Sequence, residues 1–189
     1  MDTSYLGRTA QTLAALAADP AAPALFSSMA DLLWQSLSAG GKVLLCGNGG
    51  SAADCQHLAG ELVVRFRKDR PALPGIALTV DTSVLTAALN DYGPTPVFAR
   101  QVEALGRPGD VLWAFSTSGN SANILAAVEA ARRVGMRVIG FTAANGGKLA
   151  PLCDFCFRAP SEVTSHAQEC HITAGHMLCD ELEIRAAGA

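Results

Sequence analysis

The chain has 189 residues, 50% of them hydrophobic and only 6% aromatic, which excludes a disordered chain and fits one domain with a core of aliphatic residues and alanine. Its 14 Lys plus Arg against 17 Asp plus Glu give a formal net charge of −3, which argues against a general nucleic-acid or acidic-membrane surface and leaves room for a local cationic site. No basic segment leads into an apolar stretch near Met1 and no window approaches the ~18 apolar residues of a membrane span, so a cytoplasmic protein is expected.

Leu6, Thr9, Leu13 and Leu16 recur at helical spacing, and after the break from Pro20 to Pro23 the pattern returns in Phe26, Met29, Leu33 and Leu37. Two amphipathic helices ahead of the first strand crowd a small layered domain, so some of their apolar surface is expected to lie between subunits. The expectation is one domain, 1–189, with residues 1–40 as leading oligomerisation helices and residues 41–189 as an α/β core.

Val43, Leu44, Leu45 and Cys46 form the uninterrupted apolar run of a strand covered on both faces. Gly47, Gly49 and Gly50 then permit a sharp turn and a close backbone approach to a ligand, and the helix that follows, running to about Phe66, offers unpaired N–H groups to an anion. No Lys follows these glycines and the spacing is wrong for a dinucleotide turn, so no nucleotide cofactor is expected. The plainer alternative is a tight turn with Ser51 as the helix cap. Along the helix, Cys55, Leu58, Ala59, Leu62, Val63 and Phe66 make the core-facing stripe, and beside it His57, Glu61 and Arg65 stack at i, i+4 and i+8.

Gly75 to Thr79 is a second strand, followed by a helix from about Thr82, a loop at Asn90-Asp91-Tyr92-Gly93 and a helix from Val97 to Leu105. Asp110 to Phe115 is a third strand, running into Ser116-Thr117-Ser118-Gly119-Asn120-Ser121 before a helix with Ile124, Ala127 and Ala131. Arg137 to Phe141 is a fourth strand, Asn145 to Gly147 a turn, and Phe155 to Arg158 a short fifth strand. Strand and helix alternate, which predicts an α/β fold: a three-layer, doubly wound, five-stranded parallel sheet. Ligands bind such sheets outside the strand carboxyl ends, where both the Gly47–Ser51 and Ser116–Ser121 loops fall. From Thr164 to about Ala186 the last helix repeats Ala167, Cys170, Ala174, Leu178 and Leu182, and Gln168 and His176 lie about 80° apart around it, close enough to face one pocket.

Of the six cysteines, Cys46, Cys55, Cys170 and Cys179 sit inside apolar patterns and are expected to be reduced. Cys153-Asp154-Phe155-Cys156 matches C-x-x-C, yet it lies in a β-like run rather than at a helix start, and no second pair stands at finger-like spacing. Neither a redox nor a zinc-finger role is expected of it.

Ser116, Thr117, Ser118 and Ser121 offer four hydroxyls ahead of a helix, more than capping requires, which suits a phosphate monoester. The Asn48-Gly49-Gly50-Ser51 loop would hold another part of the same ligand. His57 and Glu61 on one helix, with Gln168 and His176 on another, admit two uses: a borderline metal such as zinc, or a carboxylate base and imidazole acid moving protons through an enediol. Spacing does not separate the two.

Cys-Gly-Asn-Gly-Gly-Ser-Ala-Ala-Asp at 46–54, Gln-His-Leu-Ala-Gly-Glu-Leu at 56–62, Asn-Asp-Tyr-Gly at 90–93, Ser-Thr-Ser-Gly-Asn-Ser at 116–121 and Gln-Glu-Cys-His at 168–171 resemble the phosphoheptose isomerase family, from about Leu32 to the C-terminus. The resemblance implies a sugar-isomerase (SIS) domain of flavodoxin-like type, assembled as a homotetramer with sites between subunits. It implies conversion of sedoheptulose 7-phosphate, a phosphorylated seven-carbon sugar, to D-glycero-D-manno-heptose 7-phosphate without a redox cofactor. Ser116, Thr117, Ser118 and Ser121 would hold the phosphate. Asn48, Gly49, Gly50, Ser51, Asn90, Asp91 and Gln168 would line the rest of the substrate site. Glu61 would be the base and His176 the acid, and His57, Glu61, Gln168 and His176 would bind zinc, one ion per subunit.

Where many members carry Asp-Thr-Ala-Arg-Ile, this chain reads Val163-Thr164-Ser165-His166-Ala167, so His166 is either a cation near the phosphate at mildly acidic pH or a replaced surface residue. The alternative to an isomerase is a non-catalytic SIS protein that binds a replication initiator or senses a sugar phosphate. In the initiator-binding relative an Arg replaces the middle hydroxyl of the phosphate loop and the second helix His is absent, whereas Ser118 and His176 are present here.

Overall fold

A computed structural model describes residues 3–188. Five parallel strands stand in the order β2-β1-β3-β4-β5: β1 (Val43–Cys46), β2 (Gly75–Ala77), β3 (Val111–Phe115), β4 (Arg137–Thr142) and β5 (Phe155–Arg158). This is the doubly wound order in which chain direction across the sheet reverses beside β1 and β3, the two strands that lead into the glycine loop and the hydroxyl loop.

Every residue of β1 and β3 is buried, as a strand covered on both faces requires. Side chains alternate between two cores. Val43, Leu45, Val111, Trp113, Phe115, Ile139 and Phe141 meet helices α2 (Ala22–Ser38), α3 (Gly50–Val63) and α7 (Thr164–Ala187) on one face. Leu44, Cys46, Leu112, Ala114 and Val138 meet α4 (Thr82–Tyr92), α5 (Val97–Leu105) and α6 (Ala122–Arg133) on the other. Ala99 on α5 and Ala127, Ala130 and Ala131 on α6 are buried on this second face, where small side chains let the two helices pack closely.

The leading helices differ from each other. α2 buries Phe26, Met29, Ala30, Leu32, Leu33 and Leu37 in the first core, whereas α1 (Ser4–Ala18) buries only Leu16 and leaves Leu6 exposed. No single helix among the described residues is long and apolar enough to cross a membrane.

Three boundaries depart from the sequence expectation. α3 stops at Val63 rather than near Phe66, because the Arg70 guanidinium donates to the carbonyls of Glu61 and Leu62 and closes the helix there. β2 ends at Ala77, not Thr79. Asn90 and Asp91, expected in a loop, occupy the last turn of α4, which starts at an Asp81 cap and runs on to Tyr92 until Gly93, at φ 78°, ends it.

Candidate active site

Each ligand loop is shaped by close approaches that only glycine permits. A side chain at Gly47 would lie 2.7 Å from the Ser51 carbonyl oxygen, and Gly49 turns at φ 56° to become the cap of α3. Ser51, the alternative cap, is instead inside the first turn and buried. Gly50 lies under the amide of Gln168, whose nitrogen stands 2.7 Å from where a Cβ would be, so the glycine loop and the start of α7 touch.

In the second loop, Gly119 turns at φ 63° and presses on the Gly146 carbonyl, where any side chain would collide. The Ser116 and Ser121 hydroxyls lie 3.0 Å apart. Ser121 is the N-cap residue of α6, yet its hydroxyl makes no capping bond, so the first N–H groups of α6 are left to another partner. Ser118 accepts from the Asn120 N–H at 3.1 Å and is exposed. The two loops are tied by a reciprocal pair: Asn48 Nδ2 donates to Asn123 Oδ1 at 2.9 Å, and Asn123 Nδ2 donates to Asn48 Oδ1 at 2.8 Å.

Farther along α3 and α7, His57 Nε2 and His176 Nε2 are 2.8 Å apart and His57 Nε2 is 3.3 Å from Glu61 Oε1. The three donor atoms all lie within 4.8 Å of one another. Ligands at ~2.0–2.1 Å around tetrahedral zinc stand ~3.3 Å apart, so this set fits such an ion with little movement. The His176 ring stacks on Phe66 at 5.3 Å, and burial, reinforced by the neighbouring His57, lowers its pKa and favours the neutral imidazole.

Of the residues expected to act together, His57, Glu61 and His176 form one cluster, Gln168 rests against Gly50, and Asn48 adjoins the hydroxyl loop through Asn123. Asn90 and Asp91 bond each other at 2.7 Å, and Asp91 faces a separate cavity lined by Ile76, Val84 and Tyr92. His166 is neither at the surface nor free. It is 4% exposed, with Nδ1 3.1 Å from Glu169 and 3.2 Å from Thr9 and its ring 4.7 Å from Tyr5, so it joins α1 to α7.

Several supporting residues escaped the sequence analysis. Asn123 is one; its signal was a polar side chain in the first turn of α6, two residues past the last hydroxyl. Asp54, one turn before His57, has a buried Oδ2 without a partner, and burial raises its pKa to about 6 against the opposing pull of His57. Glu183 accepts from the N–H groups of Phe66, Arg67 and Lys68 at 2.6–2.8 Å beside a buried Arg70. Its signal was an acid inside the apolar stripe of α7.

A parallel sheet in this order, with a hydroxyl-rich loop and a glycine loop meeting at its carboxyl edge, defines a sugar-isomerase (SIS) domain, and the family model for the SIS domain matches residues 4–143. The phosphoheptose isomerase of Rhodospirillum rubrum is 59% identical over 162 residues, 86% of each chain. Solved phosphoheptose isomerase structures from Neisseria gonorrhoeae (42% identity, TM-score 0.88) and Francisella tularensis (40%, TM-score 0.90) each cover 95% of this chain and of their own. The chain belongs to the phosphoheptose isomerase family and is an isomerase of sugar phosphates.

Proposed function

We propose that this enzyme converts sedoheptulose 7-phosphate to D-glycero-D-manno-heptose 7-phosphate through an enediol, as a cytoplasmic homotetramer with sites between subunits, residues 1–40 contributing to assembly. The hydroxyls of Ser116, Thr117, Ser118 and Ser121, with the free N–H groups at the start of α6, hold the phosphate. Asn48, Gly49, Gly50, Ser51 and Gln168 contact the sugar, as do Asn90 and Asp91 at the end of α4, brought to it by assembly. An extended heptose phosphate spans roughly 10 Å, comparable to the rise of α3 from Gly50 to His57, so one ligand reaches from the loops to the histidine cluster.

Glu61 takes the proton from the carbon beside the carbonyl and delivers one to the former carbonyl carbon, while His176, held neutral, gives its N–H proton to the carbonyl oxygen and regains one from the neighbouring hydroxyl as that becomes the new carbonyl. The Phe66 ring packs against His176. His57, Glu61 and His176, with the Gln168 amide oxygen once it leaves Gly50, are the residues that would hold one zinc ion per subunit. Zinc bound there supplies a Lewis acid for the substrate oxygens.

The observation that carries this function is the convergence of His57, Glu61 and His176 from two helices whose starts meet at the ligand loops. The test is turnover of sedoheptulose 7-phosphate in deuterated water, with the zinc-loaded and the zinc-free protein. Deuterium at C2 of the aldose product is expected. Absence of both exchange and product under every metal condition favours a sugar-phosphate-binding protein without catalysis.

A further inference from the structure

Outside this site, Cys153 and Cys156 come together beside the edge strand β5. Cys153 follows a short 3-10 turn, Ala150–Leu152, and Cys156 lies on β5, paired across from Gly140 of β4. Both thiols converge over Gly140: a methyl group added there would collide with the Cys153 sulfur and stand 3.5 Å from the Cys156 sulfur. The Cys153 thiol donates to the Leu149 carbonyl at 3.3 Å and the Cys156 thiol to the Phe157 carbonyl at 3.8 Å. Thr142 Oγ1 lies 3.7 Å from the Cys156 sulfur, and Arg158 places a cation beside it. Both cysteines are partly exposed, whereas Cys46, Cys55, Cys170 and Cys179 are buried.

We propose that Cys153 and Cys156 are a redox-active dithiol that exchanges with low-molecular-weight disulfides and closes to an intramolecular disulfide. The sequence expectation of an inert pair rested on the absence of a helix start to stabilise a thiolate. Here a neighbouring thiol, a hydroxyl and a guanidinium do so instead: the nearby Cys153 thiol, then Thr142 and the Arg158 charge, bring Cys156 down to about 7 despite its burial. The neighbouring Cys156, and then burial, push Cys153 up, which makes it the resolving thiol.

In the first step the Cys156 thiolate attacks one sulfur of the disulfide, forming a mixed disulfide and releasing one small thiolate. In the second, the Cys153 sulfur attacks the Cys156 sulfur of that mixed disulfide, losing its proton to the departing small thiolate. The protein is oxidised by two electrons, and the small disulfide is reduced to two thiols.

The experiment exposes the folded full-length protein to oxidised glutathione and maps its peptides by mass spectrometry without reduction. A cross-linked 153–156 peptide, lighter by two hydrogens, is expected while the four buried cysteines stay free. Cys153→Ser should stop at a glutathione adduct on Cys156, and Cys156→Ser should slow all modification about tenfold at neutral pH. In the unsubstituted protein, alkylation of Cys156 should rise with a midpoint near neutrality. The proposal is overturned by six free thiols after exposure, by a Cys156→Ser protein that reacts as fast as its parent, or by an alkylation midpoint at the ordinary thiol value.

Discussion

The two ends of α3 are built by opposite means. Its first turn follows a glycine loop, carries no side-chain cap and leaves N–H groups without partners inside the chain. Its last turn is closed by Arg70, whose guanidinium donates to the Glu61 and Leu62 carbonyls and lies beside Glu183, both side chains only 1% exposed. An end left open is satisfied by a ligand, while a closed end holds geometry before the ligand arrives. Glu61 sits in the closed end, so its carboxylate is positioned by the fold, and contact with the sugar is assigned to the open one, beside the hydroxyl loop that takes the phosphate.

If the closed end carries the chemistry, Glu61→Gln gives the largest effect. Turnover should fall roughly 10³-fold with an unchanged circular dichroism spectrum and calorimetric binding of the substrate retained. Near-normal turnover would detach the base from this turn.

Glu183→Gln should show what the closure itself contributes. It leaves Arg70 buried without its carboxylate and should lower stability by about 3 kcal/mol in urea denaturation at neutral pH. Burial alone would raise the Glu183 pKa, but three backbone N–H donors and Arg70 hold it below the ordinary 4.5. A depressed folded-state pKa contributes stability above the unfolded value and loses it as pH falls through the folded one. The gap between the two proteins should therefore be full above pH 4.5 and close on acidification below it. A gap that is constant with pH would remove the charge from the account.

The open end, with the hydroxyl loop tied to it through Asn48 and Asn123, gives smaller effects, felt in binding. Gly119→Ala forces a side chain onto a left-handed turn and into the Gly146 carbonyl, costing about 2 kcal/mol and weakening phosphate binding several-fold, as isothermal titration would measure. Asn123→Ala breaks the pair with Asn48 and should raise KM about fivefold, near 1 kcal/mol, with kcat unchanged. A fall in kcat instead would mean that the asparagine pair serves the closed end as well.

The same contrast explains what was legible in the sequence. The glycine loop and the hydroxyl loop announce themselves because backbone turns and anion cradles draw on a small set of residue types in contiguous runs. His57 and Glu61 were legible as an i, i+4 pair, and His176 only as a residue on another helix; their meeting depends on the packing of α3 against α7, which no local pattern encodes. Arg70, Glu183 and Asn123 were missed for that reason, since each acts on a partner distant in the chain. His166 was misplaced because its partners, Tyr5 and Thr9, lie on α1, a helix seen in the sequence mainly as an apolar stripe. The alternation of buried residues in β1 and β3 was not readable either, because strands covered on both faces show no polar side.

The most direct test is a crystal structure of the protein with zinc and sedoheptulose 7-phosphate, using anomalous scattering to locate the metal. The account predicts a zinc peak bound by His57, Glu61 and His176, and a single ligand whose phosphate lies against Ser116, Thr117, Ser118 and Ser121 while its carbonyl end meets Glu61. A phosphate seated away from those hydroxyls, or a carbonyl end out of reach of Glu61 in every subunit, would contradict it.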